Sequence, residues 1–270
     1  MAAKLLDFTW DNNTGKQDNN KLFPREFRCV ISGRSGSGKT LLAANMILNQ
    51  WIDYKKLIIV SGSIQQPIYQ ILKYGMENNL PFSVIKQIFI NKDTIKQSKV
   101  TIEELCKSTA KTIPNNLKSN IQIETYSEPT NIPNVEVMGK HTLVLFDDFM
   151  DNKVAKTKAG SIFMKGRPLG VNIIFITQDY YEIPKRTIRT NANFIILFKQ
   201  SARSVESLYR DNVDSIDMDY KEFKAFSSNI WKKSKHTFIT IDHESDPDKG
   251  KYRKGLDKFY VPTNYISYNK

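Results

Sequence analysis

The chain has 270 residues, 40% of them hydrophobic and 25% charged, which is ordinary for a globular protein with a buried core. Its longest apolar runs, such as 143–146 and 173–176, are strand length, well short of the about 18–20 apolar residues of a membrane span, so no span is expected. The formal net charge of +12 favours a polyanionic partner, although a chain rich in Lys, Asn and Ile also gains lysines simply from AT-rich codons. The two cysteines fit a reducing compartment better than a disulfide: Cys29 lies within the apolar run FRCVIS and Cys106 in a helical stretch. The three scattered histidines, His141, His236 and His243, make no zinc-ligand pattern.

The first residues, MAAKLLDFTWDNN, hold one lysine and no sustained apolar stretch, so no secretory signal is expected. Residues 1–24 read as an arm laid over the domain that follows. Residues 27–32 form a short strand, 33–40 a Gly- and Ser-rich turn, and the next segment a helix, with Leu41, Ala44, Leu48 and Ile52 at helical spacing. Residues 57–60 are a second strand. An insertion is expected within 64–140: a helix starts at Pro67, 87–90 reads as a strand and 102–107 as a helix, with Pro114, Pro129 and Pro133 between later pieces. A third clear strand spans 141–146. Residues 151–168 suggest a mobile loop plus a helix. Residues 171–177, 194–198 and 237–241 are further strands, with a helix around Val205, Leu208 and Tyr209. Residues 242–270 are expected to be a charged terminal segment, with a loop or flexible arm over 242–258. Continuously apolar strands alternating with helices indicate a three-layer α/β fold around a mainly parallel sheet, occupying residues 25–241.

Residues 33–40 read GRSGSGKT, a full match to G-x-x-x-x-G-K-[ST]. Gly33, Gly36 and Gly38 permit backbone angles that other residues resist. The amides of Gly33, Arg34, Ser35, Gly36, Ser37 and Gly38 can then point at phosphates, helped by the positive end of the following helix. Lys39 reaches the β- and γ-phosphates of ATP, and the Thr40 hydroxyl is a ligand for Mg2+. The motif follows a strand and opens a helix, as that mechanism requires.

About a hundred residues later, TLVLFDD ends a strand in Asp147 and Asp148. If this strand neighbours the first, Asp147 holds Mg2+ through water and Asp148 polarises the attacking water. An acidic pair can also simply end a strand, but coupled to GRSGSGKT it reads as hydrolytic. The strand NIIFITQ ends in Gln178, where a polar side chain can sense the γ-phosphate or align the water. Arg186 and Arg189 follow, and Arg167 precedes. Any of the three could be a finger donated to a neighbouring subunit, or a plain surface arginine.

The ordered set GRSGSGKT, LVLFDDF, GRPLGVNIIFITQ and IRTNANFIILF resembles the genome-packaging ATPases of poxviruses, related large DNA viruses, virophages and Polinton-like elements, within the FtsK–HerA superfamily. The resemblance spans about residues 25–211. It implies a P-loop NTPase of the additional-strand (ASCE), RecA/FtsK-like kind. It places Lys39 and Thr40 at phosphate and Mg2+, Asp147 on the metal, Asp148 as the catalytic carboxylate, Gln178 as the sensor and Arg189 as the first choice of inter-subunit finger. Pro168 follows Arg167 where many relatives carry His, a departure that weakens any role copied from that His. The implied protein is a homo-oligomeric ring that drives double-stranded DNA into a capsid, with a capsid or portal-vertex protein as partner. Its expected setting is the host cytoplasm at a viral factory, the nucleus, or the virion. The basic stretches 151–167 and 249–254 agree with DNA in or near a pore.

Two other readings compete. A small-molecule or nucleoside kinase would use 151–167 as its lid, although that stretch is lysine-rich and holds one arginine. A non-hydrolysing protein would use ATP only for assembly, against which the two adjacent aspartates argue. A GTPase is discounted, since residues 91–94, NKDT, miss the guanine-reading Asn-Lys-x-Asp by one place.

Overall fold

The structure is a computed structural model that describes residues 22–91, 100–149 and 152–268. Most of the expected N-terminal arm, residues 1–21, lies outside the described residues. Phe23, just inside them, stacks on Trp51 and meets Phe27 and Phe194.

Among the described residues nine strands form one sheet. In chain order they are β1 (Arg28–Ser32), β2 (Lys56–Ser61), β3 (Gln122–Tyr126), β4 (Thr142–Asp147), β5 (Val171–Thr177), β6 (Phe194–Leu197), β7 (Ile239–Asp242), β8 (Tyr252–Lys254) and β9 (Lys258–Tyr260). Their spatial order is β3-β2-β4-β5-β1-β6-β7-β8-β9. From β3 to β6 neighbours run parallel; from β6 to β9 they run antiparallel.

The continuous apolar strands have the cause expected of them. Successive side chains point to opposite faces, and both faces are covered. Val30, Val144, Phe146, Ile173, Phe175 and Ile195 face one core. Cys29, Ile31, Leu143, Leu145, Ile174 and Ile196 face the other. The second core is closed by α1 (Lys39–Leu48), α2 (Pro67–Glu77), α3 (Phe82–Ile90) and α4 (Ile102–Thr112); the first by α5 (Lys153–Leu169), α6 (Ala202–Asn212) and α7 (Tyr220–Trp231). A short α8 (Thr263–Tyr268) follows β9. The result is a three-layer α/β sandwich.

Several expectations change. Residues 87–90, read as a strand, are the end of α3: the run FSVIKQIFI turns Ile85, Ile88 and Phe89 onto one buried face, which is helical spacing. The stretch 64–140 also delivers an edge strand not expected there, β3, parallel to β2, where Lys56 pairs with Glu124 across the strands at 2.6 Å. Residues 153–169 form a single helix, packed on the sheet through Ala155, Ala159, Ile162 and Phe163. Pro168 sits in its last turn, where Gly170 in the left-handed region ends the helix. Residues 242–258 are no flexible arm. They supply β8 and the start of β9, and the Arg253 guanidinium, fully buried, pairs with Asp242 and bonds the carbonyls of Gly250 and Leu22.

Candidate active site

The phosphate loop joins β1 to α1. Gly36 (φ 70°) and Gly38 (φ 104°) adopt left-handed backbone, as a loop turning its amides inward requires. Gly33 is needed for a different reason. Its φ is not positive, but a Cβ there would stand 2.5 Å from Phe198 Cβ, so the residue is fixed by space rather than by angle. The loop is tied to the next strand by the Gly33 amide donating to the Thr177 carbonyl at 3.1 Å. Arg34, Ser35 and Gly36 are exposed at its tip; Ser37 is buried behind it.

Lys39 opens α1 and is buried. Its ammonium donates to the carbonyls of Gly33 at 2.5 Å and Arg34 at 3.0 Å, which holds the side chain across the loop. Burial lowers the Lys39 ammonium below its usual value, while Asp147 and Asp148 pull the other way.

The strand carrying the acidic pair is not a neighbour of β1. β5 lies between them, and the register pairs Val30 with Phe175 and Phe146 with Phe175. The condition set on the sequence therefore fails, while the additional-strand arrangement that the resemblance implied holds, and Thr40 of the loop still reaches the end of the acidic strand. Thr40 Oγ1 donates to Asp147 Oδ2 at 2.7 Å. Tyr69, on α2 and almost fully buried, donates its hydroxyl to the same oxygen. Burial raises the Asp147 carboxyl above the ordinary aspartate range, against the hydrogen bonds from Tyr69 and Thr40 and the charge of Lys39. Burial and the neighbouring Asp147 push the Tyr69 phenol upward, so it remains a donor.

Asp148 turns out of the strand with φ 67°, an uncommon conformation for a residue with a side chain. Its carboxylate is exposed and accepts from Ser63 Oγ at 2.6 Å. Gln178, at the end of the intervening β5, lines the same cleft as Gly36, Gly38, Lys39, Thr40, Asp147 and Asp148, a cavity of about 430 Å3. The intervening strand thus gives Gln178 its place between loop and carboxylates.

Arg189 does not join this cleft. It lies nine-tenths buried in a turn before β6, with its guanidinium 2.8 Å from Asp211 and 5.3 Å from the centre of the Tyr180 ring. Arg28 at the start of β1 and Asn193 just before β6 line the same cavity, so it opens at the N-terminal ends of the parallel strands, the edge opposite the phosphate loop. Arg189, the first choice of finger, is thus paired with Asp211 outside its own subunit's cleft, and any role at a neighbour's cleft belongs to the proposal below. Arg167 and Arg186 are exposed.

Three contributors escaped the sequence reading. Tyr69 and Ser63 each touch an aspartate from residues that fall in no motif. His236, one of the scattered histidines, touches the Ser37 carbonyl through Nδ1 at 3.0 Å. No spacing signals any of these contacts, since all three join segments far apart in the chain.

Residues 15–243 match the protein family described as Poxvirus A32 protein. No curated protein matches the sequence. Among solved structures, the chain is similar to the genome packaging NTPase B204 of Sulfolobus turreted icosahedral virus 2 in complex with AMPPCP, at 11% identity, covering 87% of this chain and 100% of that one, with a TM-score of 0.44. The sulfate complex of the same NTPase gives 10% identity, coverage of 89% and 100%, and a TM-score of 0.47. VirB4 of Thermoanaerobacter pseudethanolicus gives 8% identity, coverage of 89% and 91%, and a TM-score of 0.44.

Proposed function

Because this chain belongs to the poxvirus A32 family, a family of genome-packaging ATPases, we propose that its ATP hydrolysis drives double-stranded DNA into a capsid. The observation that carries this reading is the convergence of the phosphate loop, Asp147, Asp148 and Gln178 on one cleft, at the ends of β1, β4 and β5. Loop amides and the N-terminus of α1 bind the phosphates. Lys39, already held at the loop, shifts its hydrogen bonds from the carbonyls to phosphate oxygens. Asp148, exposed and steadied by Ser63, accepts a hydrogen bond from the attacking water and polarises it. Gln178 positions that water from the side.

Mg2+ is the metal the residues fit. The Thr40 hydroxyl and the Asp147 carboxylate are hard oxygen donors standing together at the cleft, the set this ion takes when phosphates complete its shell. Among the described residues no group of three or more His, Cys, Asp or Glu forms an all-protein cage, and such an ion needs none. When bound, the ion neutralises charge on the phosphates.

A homo-oligomeric ring is part of the proposal, with hydrolysis completed by an arginine from a neighbour; the exposed Arg167 and Arg186 are favoured over Arg189, which Asp211 holds. A capsid or portal-vertex protein is the proposed docking partner, and a viral factory in the host cytoplasm, or the nucleus, the proposed setting. Among the described residues no helix is long and apolar enough to cross a membrane. The kinase alternative loses its lid, because the stretch 153–169 is a helix packed on the sheet.

The test is ATP hydrolysis by the assembled oligomer with and without double-stranded DNA, alongside its mass. Stimulation by DNA is expected. A rate that ignores DNA removes the motor reading and leaves a simple ATPase.

A further inference from the structure

We propose that the phosphate backbone of duplex DNA is gripped by a lysine edge, built from the turn between α7 and β7, beside the phosphate loop, and from the hairpin of β8 and β9 that continues the same edge. This rests on the packaging reading above and gives it a contact surface.

The placement follows from register. β7 runs antiparallel to β6 and pairs Ile239 with Leu197, so β7 begins at the edge where the parallel strands end. β8 pairs Lys254 with Ile239, and β9 pairs Lys258 with Lys254. Lys254, Lys258 and the turn carrying Lys232, Lys233 and Lys235 therefore share the edge that bears the phosphate loop. Lys232, Lys233, Lys235 and Lys258 are exposed. Some exposed lysines elsewhere find acids, as Lys107 does in Glu103, Lys165 in Glu136 and Lys249 in Asp246; others, such as Lys55, Lys140 and Lys199, stand singly. Among the described residues, none of these five lysines is in an ion pair. Lys233 stands against Lys254, and the crowding, increased by Lys258, lowers the Lys254 ammonium. Against the five, the hairpin turn sets Asp257. Unrelieved like charge on one edge is unfavourable alone and favourable against a polyanion.

The turn is also attached to the loop it adjoins. His236 Nδ1 lies 3.0 Å from the Ser37 carbonyl; a carbonyl only accepts, so Nδ1 carries the proton and donates. Below it Phe238 packs on Phe198, the ring that sets the space at Gly33. A load on the lysine turn is thereby felt at Ser37 and Gly38, which gives DNA a route to the hydrolytic loop.

The experiment is anisotropy of a labelled duplex with the full chain across a salt series, for wild type, for Lys232→Ala/Lys233→Ala/Lys235→Ala and for Lys254→Gln/Lys258→Gln. The slope of log affinity against log salt is expected to fall by about one for each lysine that touches a phosphate, and affinity at moderate salt by about tenfold or more. The KM for ATP without DNA is expected to stay unchanged in both variants. Wild-type slope and affinity in both variants overturn the surface while leaving the motor intact. A KM for ATP that rises in both overturns it too, assigning the lysines to nucleotide. Absence of duplex binding by wild type overturns both proposals. In His236→Ala the slope is expected to persist while DNA stimulation of hydrolysis drops severalfold; full stimulation there overturns the coupling.

Discussion

Two cavities of nearly equal size open at opposite edges of one sheet, about 430 Å3 at the phosphate loop and about 450 Å3 between Arg28, Arg167 and Arg189. Their chemistry differs completely. The first is lined by loop backbone, hydroxyls, two carboxylates and one lysine, at the ends where helices begin. There α1 turns its free amides toward a ligand. The second lies where the strands start, and its Arg189 guanidinium is engaged locally. Arg189 is paired with Asp211, which also holds Lys185 at 2.7 Å. Arg28 is lowered by burial and then by Arg167 nearby. Volume alone would rank the two alike. The direction of the strands separates them, because only their C-terminal edge faces helix N-termini.

That comparison can be broken at several points. Lys39→Ala should have the largest effect, a loss of about 10²–10³ in turnover, the scale of removing one transition-state donor; steady-state ATP hydrolysis measures it, and a mild loss would mean that the cleft is not the hydrolytic site. Asp148→Asn is expected to keep nucleotide binding and lose about 10²-fold or more in turnover, readable as tight ATP binding without phosphate release. Arg189→Ala tests the opposite edge. Removing one partner of a buried pair should lower stability by about 3 kcal/mol, held to the low end by Lys185, with turnover per folded molecule near wild type. Denaturant unfolding beside ATPase assays decides it: full stability with lost oligomer activity would restore Arg189 as the finger. Tyr69→Phe should be smallest, a severalfold change. The Tyr69 hydrogen bond lowers the Asp147 carboxyl, so deleting it raises that group further. A carboxylate needed in its charged form is then lost at higher pH, and the acid limb of the ATPase profile should move upward.

Much of the molecule was legible because its signals are local. GRSGSGKT needs only eight consecutive residues to declare its turn, and TLVLF and NIIFIT declare buried strands by unbroken apolarity. Where the reading failed, a local signal had two meanings. The short apolar run 87–90 suits a strand or a helix, and the helical alternative became visible only through which side chains are buried. The charged residues 242–258 suggested a loose arm because charge normally seeks water. Here Arg253 is instead buried against Asp242, while Lys254 and Lys258 sit on the outer strands of the sheet. The resemblance made Arg189 the first choice of finger, and no spacing in the chain foretold its pairing with Asp211.

The sequence by itself determined the nucleotide loop, the two aspartates, the terminal glutamine and the layered α/β class, because each depends on residues adjacent in the chain or on strand-length periodicity. Only the tertiary structure decided which edge every group occupies. It inserted β5 between the loop strand and the acidic strand, brought Tyr69 and Ser63 to the aspartates, seated His236 on the phosphate loop and turned Arg189 away from it. Those outcomes come from the order in which strands pair and from contacts between residues tens to hundreds of positions apart, information that no spacing in the chain records.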